Sequence, residues 1–260
     1  MNNFFKDLDF PPDFLYQMLS LIVSIILIHS IYLLFIEPAA AAQALEAIRL
    51  NKAPERTLSI ILRDFEQETC LILMFWALSI IFIKWKRVSE DLEIIRENDF
   101  LSSEQEIDAN TAIKIKEEIA SREDLGILSK VYSTVLSSFL RNKALDSVAE
   151  AMNYTCEKEG ERMESELSMI RYLIWAIPSI GFIGTVRGIG EALSQAHIAV
   201  EGNIAGMTAS LGVAFNSTFV ALVVSIFLMY FLHQLQLSQD RLVLELNDRC
   251  NDNLLPKLRL

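Results

Sequence analysis

Apolar residues are bunched along this chain. Four runs, at residues 14–36, 69–83, 170–193 and 207–232, are separated by polar stretches. A helix rises 1.5 Å per residue, so the first run is long enough to cross about 30 Å of hydrocarbon. The second is shorter. Trp85 with Lys84, Lys86 and Arg87 gives it an aromatic and cationic interfacial end that lets it reach. The pattern predicts an all-α membrane protein with four transmembrane helices, at 14–36, 69–85, 170–193 and 207–233. Cationic flanks stay on the cytoplasmic side. The Lys84, Lys86, Arg87 cluster therefore orients the chain. Residues 1–13, with Phe4, Phe5 and Phe10, become a cytoplasmic or interfacial segment. Residues 37–68 and the loop 194–206 become periplasmic, and both termini cytoplasmic. The flank Lys6 to Asp9 is not the positive start of a signal peptide, so the first span is read as uncleaved.

Residues 86–169 form a long cytoplasmic helical insertion in this reading. Residues 103–107 and 111–120 are charged and helix-prone. Apolar residues in 125–140 and 144–152 recur at three- and four-residue spacing, as amphipathic helices require. Two or three long helices are expected, with most of the charge on their solvated faces. Residues 234–260 continue as a polar cytoplasmic helix. Leu235, Leu242 and Leu246, and separately Leu237 and Leu244, are spaced for packing.

Composition agrees with a membrane protein. The chain has 260 residues, of which 52% are hydrophobic, and its mean hydropathy is +0.32. A net charge of −11 argues against nucleic acid as a partner. Cys70, Cys156 and Cys250 show neither metal nor redox spacing and read as inert thiols. His29, His197 and His233 sit in separate segments without acidic residues at ligand spacing, and His29 reads as a packed polar residue. No nucleophile with a base and no metal cluster is apparent, so an enzyme and a resident cofactor are not expected.

The chemistry lies in the last two spans. Gly181, Gly184 and Gly188 share one helix face, with Thr185 beside them. Small faces of this kind let helices approach closely in lipid. Pro178 leaves a carbonyl without its helical donor and marks a kink, static or hinged. In the fourth span Ala214, Thr218, Ala221 and Ser225 recur on one face, with Asn216 and Ser217 close by. Hydroxyls donate and accept, so they can pass on a water chain or bond a carboxylate from a neighbour. They can also merely glue helices together. No Asp or Glu lies in the middle of any span. If an ion path exists here, its titrating group must come from another chain. Arg187 and Glu191, four residues apart, either mark the interface or stand at the mouth of such a path.

These residues carry a resemblance. PSIGFIGTVRGI at 178–189 resembles the P-x-x-G-x-x-G-T-V-x-G signature of the MotA/TolQ/ExbB proton-channel family. AFNSTFVALVVSI at 214–226 resembles its A-L-x-x-T-x-x-G-L-x-x-A-I signature. The two come in the family's order, on the last two spans, after a helical insertion. The chain departs from TolQ- and ExbB-like members at Val213, where they carry glutamate, at Arg187, where they have tryptophan, and at Phe227, where proline often follows. Its four spans resemble the flagellar stators instead.

The resemblance implies a homo-pentameric ring in the bacterial inner membrane around a dimer of a single-span MotB-, TolR- or ExbD-like partner. That partner brings a membrane aspartate. Thr185 and Thr218 match the family threonines that face the partner and line the proton path, with Asn216, Ser217 and Ser225 beside them. The sequence does not separate H+ from Na+ as the driving ion, nor name the process driven. The competing reading is a non-conducting membrane scaffold whose small-residue faces only pack.

Overall fold

A computed structural model describes residues 12–49, 57–97, 106–122, 125–142 and 144–258. The expected N-terminal interfacial segment falls, but for its last two residues, outside the described residues. So do residues 103–105 of the first charged stretch. Among the described residues the secondary structure is helical, with one isolated β-bridge. In chain order the α-helices are α1 Pro12–Ile31, α2 Glu37–Arg49, α3 Leu58–Ile61, α4 Phe65–Glu97, α5 Ala109–Ser121, α6 Gly126–Asn142, α7 Leu145–Ser165, α8 Ser168–Ser194, α9 Ala196–Val200 and α10 Ala205–Asn253. Four stretches are long and apolar enough to cross a membrane: Phe14–Ala47, Phe65–Glu97, Leu145–Ser194 and Ala205–Lys257.

Contacts divide the chain into two units. One holds the residues up to Ile81 and Met169–Phe231; the other holds Phe82–Ser168 and the residues from Leu232 on. In the first unit, large apolar side chains such as Ile26, Leu34, Phe35, Trp175, Phe182 and Ile226 stand exposed. Lipid accepts such a surface, because it solvates apolar side chains as well as another helix does. The helix carrying the first run does not stop at residue 36. It passes through a π turn, Tyr32–Ile36, into α2. Glu37 N–H bonds the Tyr32 carbonyl five residues back, so the ladder has already widened one residue before Pro38. Ala39 to Ala42 are strong helix formers and carry the helix on. The expected loop at 194–206 likewise contains α9, and α10 is helical from Ala205.

The second unit is built on amphipathic helices. Leu128, Val131, Val135 and Phe139 bury one stripe of α6; Val148, Met152 and Cys156 bury one stripe of α7. Asp108 caps α5, its Oδ1 accepting the Thr111 N–H at 2.8 Å. That bond holds the Asp108 carboxyl below its ordinary range. Residues 106–107, expected to be helix-prone, are not helical: Ile107 N–H donates to the Lys257 carbonyl at 2.7 Å and Ile107 is fully buried. Ile107 instead forms an isolated parallel bridge with Leu258. On α10, Leu235, Leu242 and Leu246 are fully buried, as their spacing predicts. Leu237 and Leu244 are not. Two residues further on is about 200° around a helix, so the second set faces away. Cys70, Cys156 and Cys250 are free and buried. Burial pushes the Cys156 thiol up to about 11 and the Cys250 thiol up to about 12.

Gly126 opens α6 with φ of +47°, and a Cβ there would collide with the Asp91 carboxylate. Asp91 Oδ1 accepts the Ile127 N–H at 3.3 Å. Gly126→Ala therefore forces a left-handed backbone on an L side chain and displaces that acceptor. The expected cost to the second unit is about 1–2 kcal/mol, read as faster hydrogen exchange at the α6 amides; unchanged protection would contradict it.

Candidate functional site

The two glycine-and-hydroxyl faces meet each other. A Cβ built on Gly188 would lie 2.7 Å from Ala214 N and 2.8 Å from the Ser210 carbonyl. One built on Gly184 would lie 2.5 Å from Ser217 Cβ, and one on Gly181 would collide with Ala221. So α8 and α10 pack backbone to backbone along Gly181, Gly184 and Gly188, and the absence of side chains makes that approach possible. Ala214, Ala221 and Ser217 are fully buried in the seam.

Thr185 and Thr218 come together on one flank of it. Their hydroxyls bond directly to each other. Thr185 Oγ1 also lies 3.0 Å from the Ala214 carbonyl and 3.3 Å from the Gly181 carbonyl; Thr218 Oγ1 lies 3.1 Å from that same Gly181 carbonyl. Each hydroxyl has one proton to give. Two protons thus serve several acceptors, and either hydroxyl can turn from a carbonyl to its neighbour. The pair can rearrange, which a hydroxyl bound to one acceptor cannot.

The other expected residues are placed differently. Ser217 donates to the Val213 carbonyl at 2.7 Å on its own helix. Ser225 donates to the Ile174 carbonyl at 3.4 Å. That carbonyl lies four residues before Pro178, which has no N–H to give it, so Ser225 fills the place the proline left empty. The Ile177 carbonyl receives the Cys70 thiol at 3.8 Å. Pro178 remains inside one continuous helix, α8. Asn216 is buried on another face, lining a cleft of about 350 Å³ with Ile61, Phe215 and Phe219.

Arg187 and Glu191 pair at 2.9 Å, as their spacing allows. The stronger partner of Arg187 was not expected. Glu66, at the start of α4, takes two charge-assisted bonds from the guanidinium, at 2.7 and 2.8 Å, and its side chain is only 2% exposed. Gly184 makes room for it, since a Cβ there would stand 3.1 Å from Glu66 Cγ. His29, expected to be a packed polar residue, is instead exposed, and its Nδ1 lies 2.7 Å from Glu68 Oε1, 39 residues away in sequence. The available signal was the string Glu66-Gln67-Glu68 immediately before the second apolar run. That string stands at the same membrane face as Arg187 if consecutive spans alternate in direction. Among the described residues no group of three His, Cys, Asp or Glu side chains could hold a metal.

Residues 124–248 match the family described as the MotA/TolQ/ExbB proton channel family. This stretch contains α6 to α9 and most of α10, hence both threonines and the whole glycine seam. No curated protein and no solved structure matches the chain.

Proposed function

We propose that this chain, whose residues 124–248 match the MotA/TolQ/ExbB proton channel family, is a member of that family and the ion-conducting subunit of a membrane motor. The meeting of Thr185 and Thr218 carries the reading. A pair of hydroxyls with more acceptors than protons can receive a proton on one side and release one on the other, without holding charge. No carboxylate stands in the middle of the spans, so the charge carrier is supplied by a partner, a single-span protein with a membrane aspartate. Five copies of this chain surround two of that partner in the bacterial inner membrane, and ion flow drives one against the other. Residues 86–169 face the cytoplasm by the sign of Lys84, Lys86 and Arg87. The driving ion is a proton in this reading.

The scaffold reading draws on one observation, that both threonine hydroxyls already reach backbone carbonyls. It needs no second chain. Co-purification with the product of the neighbouring gene, followed by the mass of the intact complex, separates the two. Five copies with two of a single-span, aspartate-bearing chain is the expected result. A stable assembly of this chain alone would leave the threonines without a carrier and favour the scaffold.

A further inference from the structure

A single exposed leucine is ordinary, but in the second unit two of them share a groove. Leu237 and Leu244 stand two turns apart on one side of α10, 49% and 64% exposed. Beside them runs α7. A Cβ built on Gly160 would stand 3.3 Å from Val243 Cγ2, and Asn247 Nδ2 donates to Asn153 Oδ1 at 3.0 Å. The numbering rises along one helix as it falls along the other, so the two run antiparallel. Between them lies a groove of about 640 Å³, with Met163, Leu237, Val243 and Leu244 in its lining.

The rim of this groove is acidic. Glu157, Glu161 and Glu164 line it from α7, at i, i+4 and i+7, and Asp240 lines it from α10 between the two leucines. Among the described residues no lysine or arginine lines it. Two cations of α7 are engaged elsewhere: Arg162 reaches Glu159 at 3.0 Å, and Lys158 lies over the Tyr154 ring. Glu157, Glu161 and Asp240 form no ion pair among the described residues. Gln239 also lines the groove. It is only 6% exposed, and its amide makes no hydrogen bond among the described residues. A buried amide without a partner costs free energy that a polar group entering the groove recovers.

These features describe the occupant. The α7 carboxylates are strung along about 10 Å of helix, and among the described residues no three His, Cys, Asp or Glu side chains could hold a metal. A row of separate cations fits such a rim better than one ion does. An anionic membrane surface brings like charge, and so does a second copy of this chain, at a net −11. Leucines at i and i+7 match the anchor spacing of an amphipathic helix laid into a groove. We propose that the groove between α7 and α10 docks a cationic amphipathic helix of a partner protein. Its apolar face covers Leu237 and Leu244, its Lys or Arg side chains meet Glu157, Glu161 and Asp240, and a polar group reaches the Gln239 amide. The groove uses neither Thr185 nor Thr218, so the proposal stands or falls separately from the motor reading.

The probe is a labelled synthetic helix with leucines at i and i+7 and lysines on either side of that stripe. It is titrated by fluorescence anisotropy onto the full chain in nanodiscs of zwitterionic lipid, with empty nanodiscs as the blank. Saturable binding is expected, weakened roughly tenfold or more by Glu161→Gln with Asp240→Asn, and likewise by Leu244→Ser. A scrambled peptide of the same composition, whose leucines no longer share a face, should bind at least about tenfold more weakly. The carboxylate variants keep side-chain shape and supply the readout should Leu244→Ser fail to fold. Equal binding of the two peptides would make the rim a solvated acidic face that attracts any polycation, and would overturn the site. Binding that the carboxylate variants leave unmoved overturns it too. So does self-association of the chain that these variants abolish while the peptide stays unbound, which would give the groove to a second copy.

Discussion

Gly188→Ala lowers the thermal midpoint of the chain by roughly 2–12 °C, although it adds a single methyl group. The reason is what that methyl meets. Its nearest neighbours are Ala214 N, Ala214 Cα and the Ser210 carbonyl, at 2.7 to 2.9 Å, all of them α10 backbone. A flexible side chain could swing aside, but backbone moves only if the helices part. Parting them loosens the contacts at Gly184 and Gly181, which share the seam, so the penalty spreads along it. Overpacking a core costs about 1–3 kcal/mol, and for a chain of this size each kcal/mol is worth roughly 2–4 °C. Gly190→Ala is the control. Nothing lies within 4 Å of a Cβ there, and alanine is the better helix former by about 1 kcal/mol, so the midpoint should hold or rise slightly. Thermal unfolding in detergent checks both. Equal midpoints for Gly188→Ala and wild type would mean that α8 and α10 do not approach as closely as their glycines permit.

If the chain conducts as proposed, Thr218→Val should cut ion flux at least tenfold in vesicles that contain the proposed single-span partner, while assembly is kept. Valine keeps the branched shape, so the seam stays filled. What is lost is the hydroxyl bonded to Thr185 and placed 3.1 Å from the Gly181 carbonyl. The loss of one buried hydrogen bond costs about 1 kcal/mol of stability, too little to unfold the bundle. Thr218→Ser retains the hydroxyl and should keep most of the flux. If the two threonines act as one relay, Thr185→Val is comparably damaging, and the double variant is little worse than either single one, because groups that work as a unit do not add. If the pair only packs, Thr218→Val loses a little stability and leaves flux unchanged. That outcome would sink the conducting role while leaving the family match of residues 124–248 intact.

Ser217 and Ser225 show how far a face read from sequence can carry a function. Their spacing puts them on or beside the hydroxyl face of the fourth span. In the folded chain Ser217 is spent on its own helix, and Ser225 on a carbonyl that Pro178 left unpaired. Spacing gives the direction in which a side chain leaves its helix. It does not give the acceptor waiting there, which belongs to another helix and depends on both crossing geometry and register.

The sequence by itself determined the four membrane-crossing runs, because in hydrocarbon the length and purity of an apolar run are physical requirements. It also determined the small faces of α8 and α10, through helical periodicity, and the resemblance to the family that residues 124–248 match, through two signatures in order. Only the tertiary structure decided that those faces meet each other, that Thr185 and Thr218 touch, that Arg187 is held by Glu66 as well as by Glu191, and that Leu237 and Leu244 remain uncovered. In water, a buried face is marked by being apolar. In lipid, the face toward a neighbouring helix and the face toward the bilayer are equally apolar, and no hydrophobic pattern separates them. The long-range pairs are no more legible: Glu66 and Arg187 lie 121 residues apart, and nothing local in either segment encodes the other.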